Sequence, residues 1–426
     1  MNKLLIKNGF VVSENTVLDI LIVGSKISEI SKKIEATDAT IIDANGLDIY
    51  SGFVDMHCHL REPGQEYKED IASGTRSAAM GGFTSVACMP NTTPIIDNQT
   101  VARFVIEKAK SQGVIKVFPV GAISKGLKGE QLSEMGDLKK AGCVAVSDDG
   151  KPVNSAAFMK KAMLYSNMFN MPVLSHCEDM DLADEGTMNE GYMSTVLGLR
   201  GIPSAAEDLM VSREIILSEY TGVRVHICHV STASAVQMIR EAKARGVKVT
   251  AETCPHYFTL TEKACDGFNT LAKMNPPLRT QKDVEAIIEG IKDGTIDAIA
   301  TDHAPHHSDE KRCEFAYALN GIVGFETAYS LSNHYLVKTG KITKKRLMEC
   351  LSTNPSKILG LNSDGLSIGA SADISIVDSS KIHTVTIEDF LSKSKNSPFD
   401  GFELVGKVEY TIVDGKIIVS NGRINE

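Results

Sequence analysis

Two histidines separated by one residue, His57 and His59, have the spacing of a metal-binding pair. The preceding segment Gly52-Phe53-Val54 is typical of an extended strand, in which successive side chains point to opposite faces. Both imidazoles would then lie on one face and could bind one ion. Arg61 and the Pro63-Gly64 turn follow directly, so the pair lies at the end of the strand. Taken alone, the pair also fits a hydrogen-bonded structural role, so other residues of the chain are needed to distinguish the two interpretations.

Further histidines and aspartates follow other strand-like segments of the chain. They are Asp148, Asp149, His176, His229 and Asp302. Unpaired imidazoles and carboxylates are costly to bury, so their repeated placement at strand ends indicates a shared site rather than core packing. Imidazole nitrogen with carboxylate oxygen suits Zn²⁺, and catalytic zinc sites keep a position for water.

The whole set is sufficient for two divalent ions. One ion would be bound by His57, His59 and Asp302, and the other by His176 and His229. One of the two adjacent aspartates after the fourth strand would bridge them, and the spacing leaves open which one. Paired ions about 3.5 to 4 Å apart can activate a water and polarise a carbonyl, which is the equipment for hydrolysing an amide-like bond.

A repeating order of strand, loop and helix would position these residues. The eight strand candidates are Phe53–Leu60, Thr84–Met89, Val114–Val120, Cys143–Ser147, Pro172–His176, Val223–His229, Val247–Glu252 and Ala298–Asp302. Helix-like segments between them include Asn154–Asn170, Ser204–Tyr220, Thr232–Arg245 and Gln281–Asp293. This alternation predicts a (β/α)8 TIM barrel of the α/β class, although periodicity alone also fits a doubly wound sheet. The polar residues at strand carboxyl ends favour the barrel, because barrel enzymes build their sites there.

The two ends of the chain share a different pattern. Residues 1–51 and 366–426 alternate apolar and polar residues between Asn-Gly, Gly-Ser and Asp-Gly turns, as short antiparallel strands do. Chain termini usually lie close together, so we expect both ends to form one small β-sandwich domain. Residues 52–365 would then be the metal-dependent hydrolase barrel.

Composition excludes several classes of function. The net charge of -9 and the absence of a basic cluster argue against nucleic-acid binding. No segment resembles a signal peptide or a membrane span, so we expect a cytoplasmic protein. The nine cysteines are scattered without paired spacing, which favours reduced thiols over disulfides. Cys58, Cys177 and Cys228 adjoin histidines, and strand alternation predicts that they pack away from the site.

Seven motifs occur in order across nearly the whole predicted barrel. They are His57-Cys58-His59-Leu60-Arg61-Glu62-Pro63-Gly64, Met89-Pro90-Asn91-Thr92, His176-Cys177-Glu178-Asp179, Cys228-His229-Val230-Ser231, Cys254-Pro255-His256-Tyr257, Met274-Asn275-Pro276-Pro277-Leu278-Arg279 and Thr301-Asp302-His303-Ala304-Pro305-His306. Together these motifs resemble the bacterial dihydroorotases of the longer type, in the amidohydrolase superfamily. Several are common to the superfamily, whereas Arg61 with the Asn91 and Asn275 segments is more particular.

This resemblance implies the reversible cyclisation of N-carbamoyl-L-aspartate to L-dihydroorotate, a step of pyrimidine biosynthesis, by a zinc-bound hydroxide. It implies two Zn²⁺ per subunit, bridged by Asp149 where many relatives use a carboxylated lysine, and Asp302 as general base and acid. The implied metal ligands are His57, His59, Asp149, His176, His229 and Asp302. The implied substrate contacts are Arg61, Asn91, Asn275 and His306. The fork of donors on Arg61 matches a carboxylate, which a lysine would meet only as a point charge.

Several alternatives remain at this stage. Allantoinase, dihydropyrimidinase and hydantoinase share the metal scheme, but they usually use the lysine bridge, and the last two act on rings without a carboxylate. A non-catalytic partner of aspartate transcarbamoylase would characteristically have lost metal ligands. The resemblance also implies a homodimer and a possible association with that transcarbamoylase. His256 fits either a supporting role or loop structure, and residues 306–324 fit either a mobile lid or a long connection.

Overall fold

The structure is a computed structural model that describes residues 3–361 and 365–425, so the outermost residues and positions 362–364 of the predicted domains lie outside the described part. The strands are β1 Lys3–Val11, β2 Thr16–Val23, β3 Lys26–Ser31, β4 Thr40–Asp43, β5 Asp48–Ser51, β6 Phe53–Cys58, β7 Phe83–Cys88, β8 Lys116–Ala122, β9 Ala145–Ser147, β10 Val173–Ser175, β11 Met188–Asn189, β12 Gly201–Ile202, β13 Val225–Ile227, β14 Val249–Thr253, β15 Ala298–Ile299, β16 Ile374–Thr384, β17 Glu403–Val413, β18 Lys416–Ser420 and β19 Arg423–Ile424.

Helices cover the barrel strands and extend beyond the last of them. The α-helices are α1 Ile71–Met80, α2 Gln99–Gln112, α3 Met135–Ala141, α4 Ala156–Asn167, α5 Met180–Ala183, α6 Tyr192–Leu197, α7 Ala205–Thr221, α8 Ala233–Ala244, α9 Gln281–Asp293, α10 Ser308–Lys311, α11 Phe325–Ser332, α12 Lys344–Met348 and α13 Asn354–Leu359. Within the described residues, no helix combines the length and the apolar character that crossing a bilayer requires.

An eight-stranded parallel sheet forms the barrel, in the order β6-β7-β8-β9-β10-β13-β14-β15. The first and last strands meet just beyond their carboxyl ends. There the Asp302 N–H donates to His57 O at 3.0 Å, and the His59 N–H donates to His303 O at 2.9 Å. The predicted (β/α)8 barrel is therefore confirmed, and this closure excludes the doubly wound sheet.

Local sequence explains where the barrel helices begin. Thr280 and Asp283 form a reciprocal cap, in which the Thr280 N–H donates to Asp283 Oδ2 at 3.0 Å, and α9 begins and ends at the predicted residues. The Thr232 hydroxyl accepts from the Ala235 N–H at 3.0 Å at the start of α8. Capping satisfies N–H groups that a helix leaves free, so these sequences fix helix starts.

The chain ends form a second, mixed sheet in the order β19-β18-β17-β16-β5-β1-β2-β3, with β4 beside β1. The segment before β16 also reaches β3: the Ile27 N–H donates to Ala370 O at 3.0 Å, and the Ala372 N–H donates to Ser25 O at 2.9 Å. The sheet therefore curls until its two halves meet around a shared apolar core that includes Ile22. This confirms the prediction of a small β-domain built from both termini.

Residues 385–402, which we name the strap, leave this sheet between β16 and β17 and cross to the mouth of the barrel. The Ser394 hydroxyl donates to Lys68 O at 2.8 Å, and Asn396 Nδ2 donates to Ala304 O at 3.0 Å. The strap lies within residues 366–426, which the sequence pattern assigns to the β-domain. In the structure this part of the terminal segment packs against the carboxyl-end loops of the barrel.

Candidate active site

The side chains predicted to bind metal converge at the carboxyl-end mouth of the barrel. Asp149 lies in the middle of them. Its Oδ1 is 3.3 Å from His57 Nε2, 3.5 Å from His176 Nδ1 and 3.6 Å from His229 Nε2, and its Oδ2 is 3.5 Å from His59 Nε2. One carboxylate thus reaches four imidazoles that come from three strand ends.

The neighbouring Asp148 points away from the cluster. Its Oδ1 accepts the backbone N–H groups of Ile123 and Ser124 at 2.8 and 3.0 Å, and its other oxygen accepts the Ser124 hydroxyl. Asp148 therefore holds the loop after β8. The choice that the spacing left open falls geometrically on Asp149.

Asp302 approaches the same cluster from the end of β15. Its Oδ1 is 3.1 Å from His59 Nε2 and 3.6 Å from His57 Nε2. Burial opposes ionisation of Asp302, but the adjacent histidines outweigh it and hold the pKa of this carboxyl well below its usual range. The pKa of Asp149 is likewise held well below its ordinary value by His57 and the other imidazoles. Both carboxylates are therefore ionised among the histidines.

The ring nitrogens of the first two histidines divide their roles. His57 Nδ1 is 2.8 Å from Glu252 Oε1, and His59 Nδ1 is 2.9 Å from Asn91 Oδ1. These contacts orient each ring so that Nε2 faces the cluster, an arrangement typical of histidines that bind metal. Among the described residues, His57 Nε2 and Asp149 Oδ1 are buried and have no hydrogen-bond partner. Buried polar atoms normally have partners, so these donor atoms fit a cation between them.

The other two histidines form the second half of the cluster. His176 Nδ1 lies 2.8 Å from His229 Nε2, and His176 Nε2 lies 3.2 Å from Glu178 Oε2. The ligand atoms of Asp149, His176 and His229 lie within 4.8 Å of one another, as do those of His57, His59 and Asp149. The histidine and aspartate clusters are therefore compatible with metal binding, and Asp149 belongs to both groups.

The four predicted substrate contacts surround this cluster. Arg61 is 8% exposed; its Nε donates to Pro305 O at 3.1 Å, and its Nη2 lies 3.4 Å from His306 Nε2. Asn91 Nδ2 donates to Asp149 Oδ2 at 3.3 Å. Asn275 Nδ2 donates to Glu178 Oε2 at 2.9 Å, which links it to the second pair of histidines. Asn91 and Asn275 are thus linked to the histidines directly or through Glu178, whereas Arg61 and His306 contact each other.

Three site residues adopt left-handed backbone conformations that side chains usually avoid. The φ angles are +61° at Arg61, +35° at His229 and +47° at Asp302. Such conformations cost on the order of 1–3 kcal/mol each and cluster at functional sites. They also break the alternation of the strand. Cys228 packs in the apolar core of the barrel, as predicted, although its sulfur lies within 4.8 Å of ligand atoms of His57 and Glu252 and so does not face away from the site entirely.

Glu252 is a residue of this site that the sequence pattern did not indicate. Its Oε1 contacts His57, and its Oε2 lies 3.3 Å from His226 Nε2, while His226 Nδ1 lies 2.9 Å from Thr250 Oγ1. His226 is fully buried and connects to the cluster through Glu252. An acidic residue at the end of the seventh strand was the available signal.

His256 is buried near the same site. Burial lowers its pKa to about 4, so its imidazole is neutral at physiological pH. Its Nε2 has no hydrogen-bond partner among the described residues. A supporting role and a role in loop structure therefore both remain predictions for this residue.

The barrel with its β-domain from both termini is a fold shared with solved dihydropyrimidinases and hydantoinases, and together with the sequence relatives this places the chain in the class of cyclic amide hydrolases. The chain is 26% identical to the dihydropyrimidinase from Brevibacillus agri NCHU1002, with a TM-score of 0.88 over 99% of this chain and 96% of that chain. The L-hydantoinase (dihydropyrimidinase) from Arthrobacter aurescens has the same fold, with a TM-score of 0.91 and 24% identity over 100% of this chain and 98% of that one.

Sequence comparison then identifies the family within this class. A protein-family model described as Dihydro-orotase-like matches residues 47–235. The chain is 61% identical to a dihydroorotase of Acetivibrio thermocellus over 98% of this chain and 99% of that protein. It is 60% identical to a dihydroorotase of Ruminiclostridium cellulolyticum over 98% of each. The chain belongs to the dihydroorotase family.

Proposed function

We propose that the chain is a dihydroorotase that interconverts L-dihydroorotate and N-carbamoyl-L-aspartate in pyrimidine biosynthesis. The observation that carries the proposal is the buried guanidinium of Arg61, which lies beside His306 at the mouth of the histidine cluster. A buried cation at this position favours a cyclic amide that carries a carboxylate over a neutral ring. The identity to the dihydroorotase of Acetivibrio thermocellus supports the same substrate.

The donor set fits two Zn²⁺ ions. The residues proposed to hold them are His57, His59 and Asp302 for one ion, His176 and His229 for the other, and Asp149 between the two. Bound zinc would supply Lewis-acid polarisation of the scissile carbonyl and a water whose pKa is lowered towards about 7.

The residues of the chain would bind the ring and move the proton. The Nε of Arg61 is occupied by Pro305 O, so its terminal nitrogens remain to pair with the ring carboxylate, assisted by Asn91 and His306. Asn275 would hold the polar edge of the ring. Asp302 is ionised beside His59, so it can accept a proton from the attacking water and deliver it to the departing amide nitrogen. Ring closure uses the same steps in reverse.

A substrate panel tests the assignment directly. Purified protein with measured zinc content would be assayed on N-carbamoyl-L-aspartate, dihydroorotate, allantoin and dihydrouracil. We expect turnover of the first two only, and turnover of allantoin or dihydrouracil alone would overturn the proposal. Ring opening releases a proton, so the ratio of open to closed form at equilibrium should rise about tenfold per pH unit.

Replacing Asp302 by Asn tests the proton-transfer role. The variant should lose at least about 10³-fold in kcat, because the amide cannot accept the proton. The matched control is D309N, since Asp309 is an exposed aspartate near the start of the same loop and should tolerate the change. Retained activity in D302N, with zinc still bound, would contradict the role of Asp302.

Three expectations from the sequence stay predictions. They concern the oligomer, the partner and the compartment: a homodimer, an association with aspartate transcarbamoylase, and a cytoplasmic location. Size-exclusion chromatography with light scattering, alone and with purified transcarbamoylase, would test the first two.

A further inference from the structure

The loop that carries His306 is closed at its base by one side chain of the strap. Asn396 Nδ2 donates to Ala304 O and to Gly321 O, both at 3.0 Å, so it joins the two ends of the loop. We name these two ends, at Ala304 and Gly321, the neck. Between these ends, the Ala304 N–H also donates to Ile322 O at 2.7 Å. On one side of the neck, Ala304 lies two residues after Asp302 and two residues before His306.

The amide of Asn396 is fully used on this loop. Its Oδ1 accepts the backbone N–H of His306 at 3.1 Å, while both N–H donors serve the neck. Its own carbonyl accepts the Val323 N–H at 2.9 Å. Asn396 is 4% exposed. Removing its side chain would therefore leave the His306 N–H, Ala304 O and Gly321 O without these hydrogen-bond partners in a place that water reaches poorly.

The strap is itself anchored elsewhere, which makes it a fixed base for these contacts. The Ser394 hydroxyl donates to Lys68 O at 2.8 Å, the Ser392 hydroxyl donates to Glu69, and Lys393 Nζ pairs with Asp70 Oδ2 at 2.5 Å. All three anchors lie in the segment that leads into α1. The strap is therefore held by the segment before α1 independently of the loop that carries His306.

The outer part of the loop has separate supports. Lys311 Nζ donates to Lys273 O at 3.0 Å and to Leu319 O at 2.6 Å. Lys273 Nζ donates to Phe315 O at 2.8 Å. These contacts hold residues beyond position 310, so they leave the backbone of His306 to Asn396.

We propose that Asn396 is a positioning residue for the substrate carboxylate, and that it acts through the backbone of His306. It fixes the His306 N–H and, through Gly321 O, the residue next to Asn320, whose carbonyl oxygen lies 2.7 Å from His306 Nε2. It thereby sets where the imidazole lies relative to Arg61, whose Nη2 is 3.4 Å away. This inference rests on the proposed function. Because the carboxylate lies away from the reacting carbonyl, Asn396 affects binding of the substrate more than the chemical step.

The test is N396A, compared with N333A as a matched control. Asn333 is also fully buried and donates to two backbone carbonyls, Ser379 O at 3.1 Å and Val405 O at 2.7 Å, but it holds the β-domain side. N396A should raise KM about 10- to 100-fold and change kcat less than about threefold, because a misplaced His306 loses a hydrogen bond to the charged carboxylate, which contributes about 1.5 to 3 kcal/mol to binding. N333A should lower Tm and leave KM unchanged. An unchanged KM in N396A, or an equal rise in N333A, would overturn the proposal.

A double-mutant cycle separates positioning from general damage. In an H306A background, N396A should raise KM less than about threefold further, because the group that it positions is already gone. A full additional loss would contradict an action through His306. If N396A does not fold, N396S leaves a smaller void and takes its place in both comparisons.

Hydrogen exchange gives a readout that does not depend on turnover. The His306 amide should exchange at least about tenfold faster in N396A, with no such change in N333A. If wild-type protein turns over neither dihydroorotate nor N-carbamoyl-L-aspartate, the proposed function fails, whereas unchanged exchange at His306 sinks the positioning role itself.

Discussion

Replacing Glu252 by glutamine would remove a buried negative charge that contacts two histidines. Its Oε1 lies 2.8 Å from His57 Nδ1, and its Oε2 lies 3.3 Å from His226 Nε2. A glutamine of the same shape can still accept one hydrogen bond but no longer carries the charge. We expect E252Q to weaken metal binding, because Glu252 fixes the tautomer of His57 and makes its Nε2 a better ligand.

The size of the effect follows from the pKa of Glu252. Burial favours the protonated form, but His226 and His57 outweigh it and lower the pKa from 4.5 to about 2. That difference corresponds to about 3 kcal/mol in favour of the carboxylate. Only part of this stabilisation acts through His57. Removing a group that supports a metal-binding histidine typically costs about 10- to 100-fold in metal affinity, and we expect a loss near tenfold because glutamine keeps one hydrogen bond.

Competition with a chelating zinc indicator would measure this affinity. The control is E207Q, because Glu207 is a similarly buried carboxylate that accepts the Ser231 N–H at 2.8 Å and pairs with Arg279 rather than with a histidine. E252Q should regain most activity at saturating zinc, while E207Q should keep the affinity of the wild type. An E252Q affinity equal to that of wild type, or a loss in E207Q of the same size, would refute the reasoning.

Three further outcomes are expected. R61K should raise KM for dihydroorotate about 10- to 100-fold with a smaller effect on kcat, because lysine cannot pair bidentately with the carboxylate; steady-state kinetics would show this, and an unchanged KM would count against the carboxylate site. Burial lowers the pKa of both His176 and His57, but neighbouring carboxylates outweigh it. Asp149 and Glu178 raise the pKa of His176 to about 10, and Asp149 and Asp302 raise that of His57 well above its usual value. Both are therefore protonated near pH 7 without metal, so zinc uptake should release about one to two protons and strengthen as pH rises, as an indicator dye in weak buffer would record. Burial raises the pKa of Glu326 to about 7, so the free energy of unfolding falls as pH rises from about 4.5 to about 7; E326Q should remove about 2 to 3 kcal/mol of this dependence in urea titrations at about pH 5 and about pH 8, and an unaltered pH profile would speak against a buried acid.

The barrel could be predicted because its signal is local and repeated. Apolar strand segments buried on both sides alternate with capped helices, so all eight strands occur where the sequence indicates them. Their ends are less regular: β15 ends at Ile299, although the pattern extends to Asp302. The positive φ of Asp302 explains this difference, since the backbone leaves the strand in order to aim the carboxylate.

Other parts of the site depend on contacts that no local pattern encodes. Asp148 and Asp149 lie in one loop, where strand alternation gives no rule, and only the partners of each carboxylate separate them. His57 and Glu252 meet across 195 residues of chain. Asn396 reaches the barrel from a segment whose sequence resembles a connection between two strands. Such contacts follow from the assembled topology and could not be predicted from periodicity.

The strap has a consequence for the order in which the protein is synthesised. The six proposed metal ligands have all left the ribosome once the segment ending at Asp302 has emerged, whereas Asn396 follows more than ninety residues later. A nascent chain of intermediate length therefore contains all the proposed metal ligands but lacks the side chain that holds the backbone of His306. Metal capture and recognition of the ring carboxylate would mature at different moments of translation, and the second would wait for the last part of the chain.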